Sequence, residues 1–171
     1  MPNLAFVQSA WAGVDGLLAD PALPPVPLAR LVDPSLAAQM AEAAAAHVLA
    51  LHRQAPAYAA QAVQGLWRQL DQPPASARRV GFLGHGELAR ASANLLQNIG
   101  FQVNAWSRSH GDLPALLAQS DIVVNLLPLT AQTRGVLGAA TFARMKRGAA
   151  IVNLARGAHL VEADLLAALA D

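Results

Sequence analysis

The sequence predicts an α/β protein: a doubly wound parallel sheet of about four strands, preceded by part of a smaller α/β lobe and a long connecting helix. Three observations carry this prediction. From Val80 onward, short apolar runs alternate with helical stretches. The hexapeptide Gly84-His85-Gly86-Glu87-Leu88-Ala89 falls where the first such run gives way to a helix. Asp33-Pro34 opens a long alanine-rich stretch with the residue types that start helices, a capping carboxylate and a proline in the first turn. Strands that alternate with helices build βαβ units, with helices on both faces of the sheet.

Residues 4–9 are short, apolar and partly β-branched, and read as a strand. Ala12-Gly13-Val14-Asp15 then makes a turn into a short helix at Leu17 and Leu18. Pro21, Pro24, Pro25 and Pro27 cannot continue a helix, so residues 28–32 offer a second strand and residues 1–33 form a partial lobe. In the connecting helix, Leu36, Met40, Ala43, His47 and Leu51 recur at three- and four-residue spacing down to Arg53. Pro56 separates it from a second helical stretch to about Leu70, and residues 72–77 are a linker by composition, so 34–77 connects the parts. Residues 78–171 then hold strands at 80–83, 101–106, 121–126 and 149–153, with helices ending at Ile99 and spanning 113–119.

Composition narrows the function classes. Twelve basic and eleven acidic residues give a formal net charge of +1, which offers no electrostatic ground for nucleic acid or an anionic membrane surface. No apolar run reaches the roughly 20 residues that span a bilayer, and residues 1–10 lack a basic leader region. The absence of cysteine excludes disulfides, thiolate nucleophiles and cysteine-based metal sites. No metal is expected, and a reducing cytoplasm is the default location.

The glycine turn carries the first chemical signal. GxGxxA after a strand and before a helix is the dinucleotide-binding turn of a Rossmann-type domain. Gly84 permits the tight turn, Gly86 leaves room for pyrophosphate, and Ala89 lets helix and strand pack closely. The phosphates would meet free N–H groups and the positive end of the helix near Glu87, with His85 and Leu88 in the same turn. The alternative is a glycine-rich turn in another α/β fold. About twenty residues on, an NAD site usually has a carboxylate for the ribose 2′-hydroxyl. Here stand Ser107, Arg108 and Ser109. A guanidinium flanked by hydroxyls suits a 2′-phosphate, which favours NADPH, with NADH as the lesser alternative. The other reading of Arg108 is a solvated arginine at a strand end.

Taken together, AGVDGLL from Ala12, DPSLAAQMAE from Asp33, GFLGHGELA from Gly81, WSRS from Trp106, VVNLLPLTAQTRGVL from Val123 and IVNLARGAHLVEADLLAAL from Ile151 resemble the D-isomer-specific 2-hydroxyacid dehydrogenases, and most closely their glyoxylate/hydroxypyruvate reductase A branch. The resemblance implies reduction of a small 2-keto acid by a nicotinamide cofactor. It assigns Arg156 to the substrate carboxylate and carbonyl, the chain's catalytic candidate, and assigns the backbone of Ala12, Gly13 and Val14 to the same carboxylate. Met40 matches a cofactor-side position on the connecting helix, Leu127 and Pro128 the loop on the adenosine side, and Leu154 and Ala155 the nicotinamide side. A homodimer of the full-length enzyme through the connecting helices is also implied.

The same resemblance implies a histidine proton donor supported by a glutamate, and none of His47, His52, His85, His110 or His159 matches it. The chain therefore reads as an internal portion of a longer enzyme, ending within a helix at residues 168–171, with an exposed sheet edge at 149–153 and little or no turnover by itself. Between Ser109 and Leu113 it is shorter than the reductase branch. Two other readings remain from the residues: a non-catalytic NAD(P)-binding and sensing module, and another Rossmann enzyme such as a methyltransferase, against which NLARG weighs.

Overall fold

The structure, a computed structural model, describes residues 3–170. Asp171, onto which the last helix was expected to run, lies outside them. The first lobe is a two-stranded parallel sheet, β1 (Val7–Gln8) and β2 (Leu28–Ala29), joined through α1 (Asp15–Leu18), with Val7 opposite Leu28 and Gln8 opposite Ala29. Both strands are shorter than the expected 4–9 and 28–32. Pro27 contributes its carbonyl to Val7 N–H at 2.9 Å but has no N–H of its own to extend the ladder.

The connecting helix α2 (Pro34–His52) starts as the sequence predicts, with the Asp33 carboxylate accepting from Ser35 N–H at 2.8 Å. Its buried stripe differs from the expected one. Ala41, Ala44, Ala45, Val48 and His52 face inward, while Met40 is half-buried and His47 exposed. The helix is apolar around most of its circumference, so periodicity alone could not choose the face. The small alanines let it lie closely on α4 (Glu87–Ile99). The second helix, α3 (Ala55–Val63), stops well before the expected Leu70. Gly65 takes φ +64°, Leu66 N–H donates back to the Gln61 carbonyl at 2.9 Å, and the Gln61 side chain accepts from Arg68 N–H at 3.1 Å. A left-handed glycine with that backward hydrogen bond ends a helix.

The larger sheet contains β3 (Arg79–Leu83), β4 (Gln102–Trp106), β5 (Ile122–Asn125) and β6 (Ala150–Asn153). Their order is β4-β3-β5-β6, with every pairing parallel. Each boundary lies within one residue of the prediction, because buried parallel strands are continuous apolar runs between turn signals. Alternate residues serve two cores. Val80, Phe82, Ile122, Val124 and Val152 pack with α2 and α4, while Leu83 and Val123 pack with Leu116 and Leu117 of α5 (Leu113–Gln119) and with Leu137. A short α6 (Ala139–Phe142), which the sequence reading did not anticipate, and α7 (Glu162–Leu169) complete the domain. Among the described residues no helix is long and apolar enough to cross a membrane.

At the amino end of the sheet, Asp121 collects Arg79 N–H at 2.8 Å, the Lys146 ammonium at 2.9 Å and the Arg78 guanidinium at 3.9 Å. Burial pushes its carboxyl up, but these donors together hold it below the usual carboxylate value. This end is fastened by charge. The carboxyl end is left for loops.

Candidate active site

The winding of the sheet reverses beside β3, since β4 lies on one side of it and β5 on the other. In open α/β sheets the crevice beyond the carboxyl ends of two such strands is where ligands bind. Gly84 follows β3 there with φ +120°, and a β-carbon on it would lie 3.1 Å from the Leu126 carbonyl. Glycine is thus required both by the turn and by contact with the loop after β5. A β-carbon on Gly86 would meet nothing within 4 Å. Gly86 also caps α4 with no side-chain acceptor on the first-turn N–H groups. These features fit a pyrophosphate at the helix N-terminus. Glu87, in that first turn, is ion-paired with Arg90, which offsets a carboxylate that would oppose an anion. His85 is exposed, Leu88 half-buried and Ala89 buried against β3.

Ser107, Arg108 and Ser109 form a tight turn after β4. Ser107 N–H donates to the His110 carbonyl at 2.8 Å, and His110 N–H donates to the Ser107 carbonyl at 3.0 Å. Arg108 and Ser109 stand exposed at its tip. A groove of about 570 Å³ runs along the free edge of β4 between α4 and α5, with His85 and His110 among its walls. Gly84, Gly86, Pro128 and Arg156 do not line it, so its size does not make it the cofactor crevice.

The loops after β5 and β6 are built as one unit. Asn125 and Asn153 end their strands in register, and Asn125 Nδ2 donates to Asn153 Oδ1 at 3.0 Å. Asn125 Oδ1 accepts from Leu127 N–H at 3.2 Å, Asn153 Oδ1 from Ala155 N–H at 3.2 Å, and Asn153 Nδ2 donates to the Arg156 carbonyl at 3.0 Å. Leu127 is buried in the second core while Pro128 is exposed, its carbonyl accepting from the Thr133 hydroxyl at 2.7 Å. His159 lies in the 3₁₀ turn Gly157–His159 and is fully buried. Its Nδ1 accepts from Arg156 N–H at 3.3 Å, and its Nε2 lies 3.4 Å from the Pro128 carbonyl. Leu154 and Ala155 are half-buried between these anchors.

Arg156 meets the first lobe. Its Nη2 donates to Asp15 Oδ1 at 3.0 Å, its Nε lies 3.2 and 3.4 Å from the two Asp15 oxygens, and its Nη1 donates to the Ala155 carbonyl at 3.0 Å. A guanidinium has five N–H groups, so one on Nη1 and one on Nη2 remain as a fork. The hydrogen bonds from Arg156 hold the Asp15 carboxyl below its ordinary value. A β-carbon on Gly13 would collide with Nη2, so the Gly13 backbone lies directly against the guanidinium. The fork and adjacent main chain can together receive a small carboxylate.

The structure therefore brings Gly84 to the loop that leads into Leu127 and Pro128, and Arg156 to Gly13 and Asp15. Met40 stands apart, on the flank of the α2 stripe. Sequence reasoning missed Asp15, Asn125, Asn153 and the anchoring role of His159. Only the asparagines left a signal, the shared V-N-L at the ends of two strands.

The family model described as D-isomer specific 2-hydroxyacid dehydrogenase, NAD binding domain, matches residues 45–171. Glyoxylate/hydroxypyruvate reductase A of Yersinia enterocolitica is 38% identical over 185 residues, a match that covers 98% of this chain and 59% of that protein. The reductase of the same name from Serratia proteamaculans is 40% identical with the same coverage. An NADPH-dependent glyoxylate/hydroxypyruvate reductase from Sinorhizobium meliloti, solved with NADP and sulfate, superposes with a TM-score of 0.93 at 42% identity, covering 99% of this chain and 58% of that one. A D-isomer specific 2-hydroxyacid dehydrogenase from Xanthobacter autotrophicus, solved with NADPH and MES, gives 0.92 at 40% identity, covering 99% and 57%. The chain spans 59% of the length of the curated relatives it matches.

Proposed function

Because the chain belongs to the D-isomer-specific 2-hydroxyacid dehydrogenase family, we propose that it forms the cofactor-binding part, with a portion of the substrate lobe, of an NADPH-dependent reductase of small 2-keto acids of the glyoxylate or hydroxypyruvate type. The observation that carries this reading is Arg156, oriented by Asp15 and laid against the Gly13 backbone with a two-donor fork left over.

In this reading the residues divide the work. Gly84, Gly86 and the first turn of α4 hold the pyrophosphate, and Ser107, Arg108 and Ser109 hold the 2′-phosphate. The cofactor, when bound, supplies a hydride to the keto carbon. Arg156 binds the keto-acid carboxylate and polarises its carbonyl, with the Ala12-Gly13-Val14 backbone closing the carboxylate site. Leu154 and Ala155 exclude water beside the nicotinamide. Residues 1–33, 34–77 and 78–171 are respectively substrate-lobe, connector and cofactor units. The names and bound ligands of the Sinorhizobium and Xanthobacter proteins support the cofactor choice.

Protonation of the carbonyl oxygen is the step these residues do not supply. His47 is exposed on α2, His52 and His159 are buried, and His85 and His110 lie against one another. The 171-residue chain is therefore expected to bind NADPH without turning over glyoxylate. The test is a fluorescence titration with NADPH and NADH beside an assay of glyoxylate-dependent NADPH oxidation. Failure to bind NADPH overturns the cofactor reading, and steady turnover overturns the assignment of the proton donor elsewhere.

A further inference from the structure

Two turns that the sequence separates by some twenty residues are joined by a pair of side chains. The His85 ring, in the glycine turn, and the His110 ring, which closes the Ser107–His110 turn, stack with centroids 4.1 Å apart and planes 7° from parallel. The second turn is also tied at its base to the glycine turn through the backbone, Gly84 N–H donating to the Trp106 carbonyl at 2.8 Å. It is a two-residue reversal whose ends pair through the reciprocal Ser107 and His110 backbone bonds, and Ser107 Oγ lies 3.5 Å from Ser109 Oγ within it. It leaves the end of β4 by a sharp return at Gly111, where φ is +78° and a β-carbon would lie 2.8 Å from the Ala105 carbonyl. The Arg108 guanidinium at the tip has no hydrogen bond or ion pair among the described residues. Its placement is thus inherited from the turn beneath it, whose base meets the glycine turn through the backbone and whose far end meets it through the histidine stack.

Building on the proposed cofactor site, we infer that His110 is a positioning residue for selection of the 2′-phosphorylated dinucleotide. Stacked on His85, it fixes the turn that presents Arg108 relative to the turn that receives pyrophosphate, so two anion-binding elements act as one preformed receptor. Preorganisation of this kind raises affinity only for a ligand that uses both elements. NADPH uses both. NADH uses the glycine turn and lacks the group that Arg108 would hold.

The stack, rather than an imidazole hydrogen bond, carries the argument, and this sets the test. NADPH and NADH dissociation constants are measured by nucleotide fluorescence for the full 171-residue chain and its H110A, H110F and H85A variants. An aromatic pair is worth enough that His110→Ala is expected to weaken NADPH about three- to tenfold, with NADH changed less than about twofold. His85→Ala should match it for NADPH. His110→Phe, which keeps a flat ring, should return NADPH affinity to within about twofold of the parent. Equal weakening of both nucleotides by H110A, no weakening of NADPH, or failure of H110F to rescue overturns the inference. A parent chain without preference for NADPH overturns the cofactor reading itself, and this inference with it. The two failures are told apart before any variant is made.

Discussion

At the scale of single residues, the site depends on Arg156 being held rather than merely present. Asp15 and the Ala155 carbonyl together take three of the five guanidinium N–H groups and leave two, so the ion pair orients a fork. A carboxyl lowered by such a partner stabilises the folded form above its ordinary value, and that contribution disappears as the pH falls through the lowered value. The contact between lobes should therefore be intact at neutral pH and lost only in acid. Carbon-detected NMR titration of Asp15 is expected to show the low value, and Arg156→Ala should return it to the ordinary carboxylate range. Gly13→Ala should displace the guanidinium and give the same upward return, because a β-carbon there collides with Nη2. At the other end of the cofactor, Arg108→Asp should weaken NADPH by about 10- to 100-fold, the loss of one or two charge-assisted hydrogen bonds, and leave NADH nearly unchanged. Unchanged preference in a two-nucleotide titration would remove the proposed 2′-phosphate contact.

At the scale of elements, the paired asparagines that end β5 and β6 hold the site loops to the sheet. Asn125 is fully buried, and its amide serves both Asn153 and Leu127. Removing it leaves the buried Leu127 N–H without its acceptor and takes one of two donors from Asn153 Oδ1, so Asn125→Ala should cost about 1–3 kcal/mol in chemical denaturation. Hydrogen exchange at the Leu127 amide should speed up well beyond that of core amides in β3. Equal loss of protection throughout the sheet would instead mean that the pair supports the whole domain and not the loops. The opposite end of the sheet depends on Asp121, which is fixed by backbone and two cations, so the two ends are stabilised by different means.

At the scale of the whole molecule, the accessible surface of 10604 Å² is well above the roughly 8000 Å² expected for a compact monomer of this mass. Part of the excess is apolar. Trp67 is fully exposed, Val63 is 90% and Leu66 54% exposed, all just after or at the end of α3. Surface of this kind favours association. Light scattering is expected to give a mass above the 17.8 kDa of one chain at micromolar concentration, and Trp67→Ser with Leu66→Ser should lower it. A constant single-chain mass across concentrations would rule out association through this face.

What could be read from the sequence alone was whatever depends on chain neighbours. The four strands, the Asp33-Pro34 helix start and the Gly84–Ala89 turn were legible because apolar runs, caps and glycine spacing act within a few residues. Tertiary structure decided what depends on residues far apart. It chose the Ala41–His52 stripe of α2 over the neighbouring one, since a helix apolar nearly all round has no preferred face until α4 packs on it. It ended α3 at Val63 through a left-handed Gly65 and the Gln61 side chain. It set Asp15 against Arg156 across 141 residues, Asn125 beside Asn153, and His110 on His85. A local pattern can nominate Arg156, but only the meeting of two lobes fixes where its guanidinium is held, because a charge is oriented by partners that the fold alone brings within hydrogen-bond reach.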